Sequence, residues 1–142
     1  PRQSLRAVIP TLITQFISLK GKNNTVNIGN LKTSRDFVYV QDCVKLKAAF
    51  LESSKFVAGI YNIGSGEANS FQKVAEIIQK KFSDAKIEYI DMPEGMTGSY
   101  QAYTKANIDK IMGLFPNFKI SSFEDGVRSY LEYLDEQKMR FS

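Results

Sequence analysis

The sequence contains no histidine and only one cysteine, Cys43. Without histidine, the chain cannot form a serine–histidine–aspartate triad, a histidine general base or most zinc sites. This leaves carboxylates, tyrosine, lysine or a cofactor as sources of chemistry, and we predict no metal site. A single cysteine excludes an internal disulfide and indicates a reducing compartment, the cytoplasm. Because Cys43 lies in an apolar helical pattern, we interpret it as a packed side chain rather than a nucleophile.

Long apolar runs and charge clusters are also missing. The apolar stretches fall well short of the roughly 18 residues of a membrane span, and residues 1–4 lack a signal-peptide pattern. The net charge is +4, but the basic residues are spread along the chain. This distribution favours an anionic small molecule over nucleic acid, which needs a basic cluster or stripe. We therefore predict no membrane partner and no nucleic-acid partner.

The 142 residues, 43% of them apolar, can bury one core, so we predict a single unit over residues 1–142. A chain that begins on Pro1 without methionine is expected to be part of a longer protein. Strand and helix patterns alternate, which predicts an α/β chain with about five helices and a few strands. We expect strands at 25–28, 37–40, 59–65 and 86–92, and helices that start near Pro10, Asp42, Ser70, Thr104 and Ser121 or Ser122.

Residues 59–65 have the pattern of a buried parallel strand. The strands that would flank it are not evident in these 142 residues, which leaves an exposed sheet edge and an uncovered apolar face. We therefore predict that the protein pairs with another copy of itself, binds a partner there, or rearranges to cover the edge.

Residues 33–42 combine an Arg–Asp pair with the predicted strand 37–40. This places Arg35 and Asp36 in a loop at the entry to that strand. A loop arginine beside a rigid strand can hold a phosphate or carboxylate with its planar fork, and Asp36 can orient it. The alternative is a surface ion pair worth roughly 0 to 1 kcal/mol.

Two motifs of dinucleotide enzymes are incomplete. The turn Gly64-Ser65-Gly66 lies between a predicted strand and a helix, but Asn69 stands where the third glycine of the phosphate-binding fingerprint belongs. A structural turn is therefore favoured. No tyrosine is followed by a lysine four residues later, so the Tyr-x-x-x-Lys acid/base pair is absent.

Five motifs nevertheless follow one another in the order of a known family. They are residues 1–4, 8–10, 35–42 and 60–66, and Ser70-Phe71 at a helix start. In this order they resemble the C-terminal part of extended short-chain dehydrogenases/reductases that act on nucleotide sugars. Residues 86–93 and 100–104 look like the ADP-glycero-manno-heptose 6-epimerases. Residues 1–10 are similar to UDP-glucose 4-epimerases and nucleotide-sugar 4,6-dehydratases.

The resemblance implies the substrate-binding part of an extended Rossmann-type dehydrogenase, with the dinucleotide-binding domain absent from these residues. It also implies that Arg35 binds the substrate's diphosphate and that Asp36 orients Arg35. The segment Arg6-Ala7-Val8 would lie along the phosphates and base, and the strand Val26-Asn27-Ile28 would lie beside the base. Arg2 and Gln3 would lie near the sugar.

One position departs from the family pattern. Family members often carry a second phosphate-binding arginine just before the segment at 100–103, and here Ser99 occupies that place. A serine donates one neutral hydrogen bond where an arginine donates two charged ones. The diphosphate is therefore expected to be held less tightly, unless Arg6 compensates.

The resemblance further implies an enzyme that oxidises a sugar hydroxyl by hydride transfer to NAD or NADP, alters the ketone and returns the hydride. The chain itself is expected to bind the nucleotide-diphosphate sugar, to hold no cofactor and to contain no catalytic residue. The alternative is a stand-alone nucleotide- or protein-binding module that has no catalytic half.

Overall fold

The structure is a computed structural model that describes residues 7–18, 25–29, 33–54, 58–90 and 101–141, with side chains through residue 136. Within these ranges, five helices and four strands intermix, which confirms the predicted α/β class. The helices are α1 (Val8–Ser18), α2 (Val40–Glu52), α3 (Phe71–Gln79), α4 (Asp109–Leu114) and α5 (Phe123–Phe141). The strands are β1 (Thr25–Gly29), β2 (Ser34–Asp36), β3 (Ala68–Ser70) and β4 (Lys86–Ile90).

The strands form two small sheets. β1 pairs with β4 in parallel, and β2 pairs with β3 in antiparallel register. The edge of β2 that does not pair with β3 is hydrogen-bonded to the segment 102–104. The Ser34 N–H donates to the Ala102 carbonyl at 2.9 Å, and the Thr104 N–H donates to the Ser34 carbonyl at 3.1 Å. β2 therefore has a backbone partner on both sides.

The core lies between α1, α3, α5 and the inner face of β1. α3 buries an apolar stripe at helical spacing, and Ile78 is fully enclosed. α1 contributes Phe16, whose ring stacks on Phe82 at 5.8 Å. β1 alternates, with Val26 and Ile28 buried and Asn27 exposed, so one face of the strand seals the core.

The helix starts at Ser70 and Ser122 agree with the sequence patterns. The Ser70 hydroxyl accepts a hydrogen bond from the Lys73 N–H at 3.1 Å and caps α3. At α5, the Ser122 hydroxyl accepts from the Asp125 N–H at 3.1 Å and donates to the Asp125 carboxylate at 2.6 Å. The first bond caps α5, and the second links the two side chains.

The predicted strand 37–40 is wrong, and Arg35 and Asp36 do not lie in a loop. The strand is Ser34–Asp36, and α2 already begins at Val40. Backbone pairing explains the difference, because β2 has hydrogen-bond partners on both sides. The Phe37 ring instead packs in an aromatic cluster, with its centre 6.2 Å from that of Phe71 and 5.1 Å from that of Phe123.

Asp42 is likewise not the N-cap of α2. It lies in the first turn of the helix and is 2% exposed. Its carboxylate accepts hydrogen bonds from the Ser121 N–H at 2.8 Å and the Ser121 hydroxyl at 3.1 Å. The residue therefore fixes the segment that leads into α5.

Two further predictions are wrong. Residues 59–65 form no strand, and the Ile60 side chain is 89% exposed. None of the four described strands pairs with this segment. Thr104 does not cap a helix, because its backbone is bonded to β2 and α4 begins only at Asp109.

None of the helices in the described ranges is both long enough and apolar enough to cross a bilayer.

Candidate functional site

Four of the predicted substrate-binding residues, Arg2, Gln3, Arg6 and Ser99, lie outside the described residues. The other seven lie on three elements. These are Ala7 and Val8 at the half-buried start of α1, Val26, Asn27 and Ile28 in β1, and Arg35 and Asp36 in β2. α1 and β1 contact each other. The side chains of Val26 and Ile28 face the core, so Asn27 is the one of these three β1 residues whose side chain solvent reaches.

The Arg35 guanidinium is held in a defined direction by its neighbours. Nη1 donates to the Ser34 carbonyl at 2.9 Å, and Nη2 donates to the Gln101 carbonyl. The guanidinium carbon lies 5.9 Å from the centre of the Phe71 ring, within the range of a cation–π contact. Arg35 is therefore positioned by a strand, a carbonyl from the neighbouring segment and an aromatic ring.

Asp36 is the most highly connected side chain of the region. One carboxylate oxygen accepts hydrogen bonds from the Ser65 N–H and hydroxyl, both at 2.7 Å. The other accepts from the Gly66 and Ala106 N–H groups, both at 3.0 Å. Because side chains alternate along a strand, Asp36 projects from the face of β2 opposite to Arg35. Asp36 therefore connects β2 to two distant loops.

These hydrogen bonds also act on the charge of Asp36. Partial burial raises the pKa of the carboxyl, but the hydrogen bonds from Ser65, Ala106 and Gly66 outweigh burial and lower the pKa below its ordinary value. The ionised form of Asp36 is thus the form that the fold stabilises.

The turn Gly64-Ser65-Gly66 closes around the same carboxylate. Gly66 has a φ of 74°, in the region that favours glycine. A Cβ on Gly64 would lie 2.5 Å from the Ala106 Cβ and 2.7 Å from an Asp36 oxygen. The turn therefore uses its glycines to approach Asp36, which agrees with the interpretation of a structural turn.

Asn69 and Lys73, which the sequence patterns did not predict as site residues, form a hydrogen-bonded pair next to β2. Asn69 stands directly opposite Arg35 across the β2–β3 pair. The Lys73 ammonium donates to Asn69 Oδ1 at 2.8 Å and lies 5.6 Å from the centre of the Phe123 ring. The strand register brings these residues together, and that register has no local sequence signal because it depends on how the chain pairs at long range.

A cavity of about 320 Å³ opens between the start of α1, residues 37–40 and the first turns of α5. Its walls are mainly apolar and include Ile9, Phe37, Tyr39 and Tyr130. Burial raises the pKa of Tyr130, and its neighbour Tyr133 adds to the effect. Tyr130 therefore stays protonated at neutral pH and contributes no negative charge to the cavity.

No group of three or more cysteine, aspartate or glutamate side chains gathers at metal-binding distance among the residues that the structure describes. With the sequence free of histidine, nothing in these ranges resembles a metal centre.

The arrangement of β2, the glycine turn and α1 can be compared with known proteins. A family model described as GDP-mannose 4,6 dehydratase matches residues 1–112. The chain belongs to the GDP-mannose 4,6 dehydratase family. This confirms the resemblance of its motifs to the extended short-chain dehydrogenases/reductases.

Relatives of this GDP-mannose 4,6 dehydratase family member include ADP-L-glycero-D-manno-heptose-6-epimerase from Alkalilimnicola ehrlichii. The two are 41% identical over 98 residues, which are 69% of this chain and 30% of the relative. A solved dTDP-glucose 4,6-dehydratase from Bacillus anthracis, in complex with NAD, superposes with a TM-score of 0.74 at 20% identity, over 98% of this chain and 42% of that chain.

A second similar structure is a UDP-N-acetylglucosamine 4-epimerase from Methanobrevibacter ruminantium in complex with UDP-N-acetylmuramic acid. It superposes with a TM-score of 0.71 at 25% identity, over 96% of this chain and 43% of that chain. The chain thus spans about a third of the curated relative and about two fifths of the solved ones.

The turn Gly64-Ser65-Gly66 of this family member differs from a dinucleotide-binding turn. In a dinucleotide site, a glycine-rich turn offers its N–H groups to a pyrophosphate. Here the N–H groups of Ser65 and Gly66 already donate to Asp36, and Gly64 is packed against Ala106. The N–H groups of Ser65 and Gly66 therefore bind a carboxylate of the protein itself instead of a pyrophosphate.

The lowered pKa of Asp36 predicts how the stability of this family member changes with pH. Above the pKa of Asp36 in the unfolded chain, the carboxylate is charged in both states and the fold keeps its full stabilisation. As the pH falls through the lower pKa of the folded state, this stabilisation is lost. Urea unfolding between about pH 6 and pH 2 measures it. The fall should be shallower in Asp36→Asn, and an equally steep fall in that variant would contradict the prediction.

Proposed function

We propose that this chain is the substrate-binding part of an NAD(P)-dependent nucleotide-sugar epimerase or 4,6-dehydratase, and that Arg35 binds the diphosphate of the nucleotide sugar. The observation that carries the proposal is the position of Arg35 on a strand with backbone partners on both sides, its guanidinium stacked near Phe71. Membership of the GDP-mannose 4,6 dehydratase family supports it. The relative with 41% identity is by name an ADP-sugar epimerase, so an ADP-sugar is the first ligand to test.

Arg35 suits this role by its chemistry. A guanidinium is always charged and presents a planar fork that matches two phosphate oxygens. Hydrogen bonds to the carbonyls of Ser34 and Gln101 orient it. A diphosphate that reaches this face would find the guanidinium already directed.

Asp36 supports the same role from the other face of β2. Its carboxylate fixes the strand to the glycine turn at residues 64–66 and to Ala106. The hydroxyl of Thr104, in the segment that also provides Gln101, accepts a long hydrogen bond of 3.4 Å from the Asp36 N–H. In this proposal, Asp36 positions Arg35 through the backbone and does not contact it directly.

Hydride chemistry belongs to NAD or NADP, which the remaining part of the enzyme would hold and which would oxidise and later reduce the sugar. The contribution of this chain is to bind and orient. Ala7, Val8 and Asn27 are proposed to lie along the phosphates and base, with Arg2, Gln3 and Arg6 completing the substrate site. The chain alone is therefore expected to bind the nucleotide sugar without turning it over.

An exposed apolar surface supports the proposal that a further domain packs against this chain. Val40, Val44 and Leu51 recur on one side of α2, and Ile60 lies in the irregular segment that the sequence predicted to be a buried strand. Leu51 and Ile60 are each 89% exposed. Because the chain spans only 42% of the dTDP-glucose dehydratase chain, we propose that a dinucleotide-binding domain covers this surface. Pairing with a second copy of the chain is the alternative.

Arg35→Ala is expected to weaken binding of a nucleotide-diphosphate sugar roughly 30-fold, because two charge-assisted hydrogen bonds are lost. Calorimetric titration with ADP-, UDP-, GDP- and dTDP-sugars measures this. Arg35→Lys keeps the charge but not the fork, so it should restore only part of the affinity. Arg128→Ala serves as the matched control, because it removes the same charge from an exposed position on α5, where Arg128 pairs with Asp125. Equal affinity of Arg35→Ala and the wild type would refute the role of Arg35.

The stand-alone binding module remains the competing proposal. The coding sequence upstream of Pro1 distinguishes the two proposals. The enzyme requires a βαβ pattern there with a glycine-rich turn and a Tyr-x-x-x-Lys motif, and a coding sequence without them would favour the module.

A further inference from the structure

Asn69 and Lys73 form a polar cluster on the same face of the β2–β3 pair as Arg35. Asn69 stands directly opposite Arg35 in the antiparallel register, and directly opposed residues project from the same face of a sheet. The Lys73 ammonium donates to Asn69 Oδ1 at 2.8 Å. A single hydrogen bond therefore connects the cross-strand neighbour of Arg35 to a second positive charge.

The Asn69 amide is satisfied on one side only. Asn69 is 5% exposed, and its Nδ2 has no hydrogen-bond partner among the described residues. Because an ammonium group can only donate, the amide oxygen is the atom that must face Lys73, and a flipped amide would lose this bond. A buried N–H₂ group without a partner costs folding free energy. An aspartate of similar shape would avoid this cost and would pair with Lys73.

The neutral amide of Asn69 does not compensate the charge of Lys73. Within the described ranges, Lys73 forms no ion pair, and its other contact is the aromatic face of Phe123 at 5.6 Å. Arg35 lies 5.9 Å from the centre of the Phe71 ring. Each cation is thus supported by a ring that contacts Phe37, and two cations held near one aromatic cluster favour an anion with two negative charges.

We infer that Lys73, held in place by Asn69, is a second binding residue for the substrate's diphosphate beside Arg35. This inference rests on the proposed function and extends it. Lys73 supplies a second cation, which the family pattern would place at the position of Ser99. Lys73 contacts the phosphate oxygens, and Asn69 is a positioning residue that acts through Lys73.

Lys73→Met tests the role of the ammonium, because methionine keeps much of the apolar stem and removes the charge. Titration of the 142-residue protein with inorganic pyrophosphate and with ADP is expected to show affinity roughly 10-fold lower than in the wild type. Lys80→Met is the matched control, since Lys80 is exposed at the C-terminal end of α3, two turns away from Lys73. Its affinity should match the wild type, and equal affinities in both variants would overturn the inference.

Asn69→Asp tests the positioning role with a readout that a purely structural role would not produce. The new carboxylate can accept from Lys73 and leaves no buried N–H₂ group, so the urea midpoint should rise. The same carboxylate neutralises the cations, so pyrophosphate affinity should fall roughly 10-fold or more. A rise in stability with unchanged affinity would overturn the inference.

The two proposals fail in different ways. If Arg35→Ala weakens pyrophosphate binding and Lys73→Met does not, the role of Lys73 is refuted and the role of Arg35 stands. If the wild type binds neither pyrophosphate nor ADP, the proposed function is refuted, and the inference that rests on it is refuted as well.

Discussion

Asp36→Ala is expected to lower the free energy of unfolding by about 4 kcal/mol, because the substitution removes a charged acceptor from three backbone N–H groups and one hydroxyl. Hydrogen bonds to a charged group contribute more than neutral ones, and the N–H groups left behind also lose their partner. Urea unfolding followed by circular dichroism measures the change. The slope of free energy against urea should stay constant if only the folded state is affected.

Two companion variants sharpen this experiment. Asp84→Ala removes a carboxylate from an exposed turn and should change the stability by less than about 0.5 kcal/mol. Asp36→Asn keeps one acceptor oxygen but turns an N–H₂ group toward N–H donors, so it should lie between the wild type and Asp36→Ala. If Asp36→Ala were as stable as Asp84→Ala, Asp36 would not be the connection between β2 and the loops.

Gly64→Ala is expected to destabilise the fold by about 3 kcal/mol. The added methyl would lie 2.5 Å from the Ala106 Cβ and 2.7 Å from an Asp36 carboxylate oxygen, so either the turn or the strand must move. Both neighbours belong to the Asp36 hydrogen-bond network, so the movement would also lengthen those bonds. Thermal or urea unfolding measures the loss.

Gly113→Ala provides the control for this substitution. Gly113 lies inside α4, and a Cβ added there meets nothing within 4 Å. Alanine at this position should be neutral or stabilising by about 0.5 to 1 kcal/mol, because glycine is a poor helix former. A destabilisation of Gly113→Ala as large as that of Gly64→Ala would contradict close packing as the cause of the effect at Gly64.

The elements that the sequence predicts well are those whose signals are local. Ser70 caps α3, and Ser122 with Asp125 caps α5, because both signals lie within four residues of the helix start. The alternation in β1 is visible in Val26 and Ile28 for the same reason. In each case, a hydroxyl or a two-residue period is enough to specify the structure without knowledge of distant partners.

The predictions that are wrong concern elements decided by partners far away in the sequence. Residues 37–40 are β-branched and aromatic, yet the strand forms at Ser34–Asp36, where β3 and the segment 102–104 supply hydrogen bonds. Residues 59–65 have a strand composition, but no described strand pairs with them. β-Propensity therefore predicted a strand close to the observed one at Ser34–Asp36 but at the wrong residues.

The candidate site divides in the same manner. Arg35 is recognisable from its residue type and from the family motif around it. The partners of Asp36 are not, since Ser65 and Ala106 lie far along the chain, and the Asn69–Lys73 cluster depends on the β2–β3 register. An aspartate next to an arginine predicts an ion pair, whereas alternation in β2 directs the two side chains to opposite faces.

The parallel pairing of β1 with β4 has a consequence for synthesis on the ribosome. α2, β2, β3 and α3 all separate the two strands in the chain, so β1 leaves the exit tunnel well before its partner. Until β4 is synthesised, the edge of β1 that pairs with β4 has no such partner. Closing the long loop between the two strands slows their final pairing. During this interval, chaperones that recognise extended apolar segments have their best opportunity to bind the polypeptide.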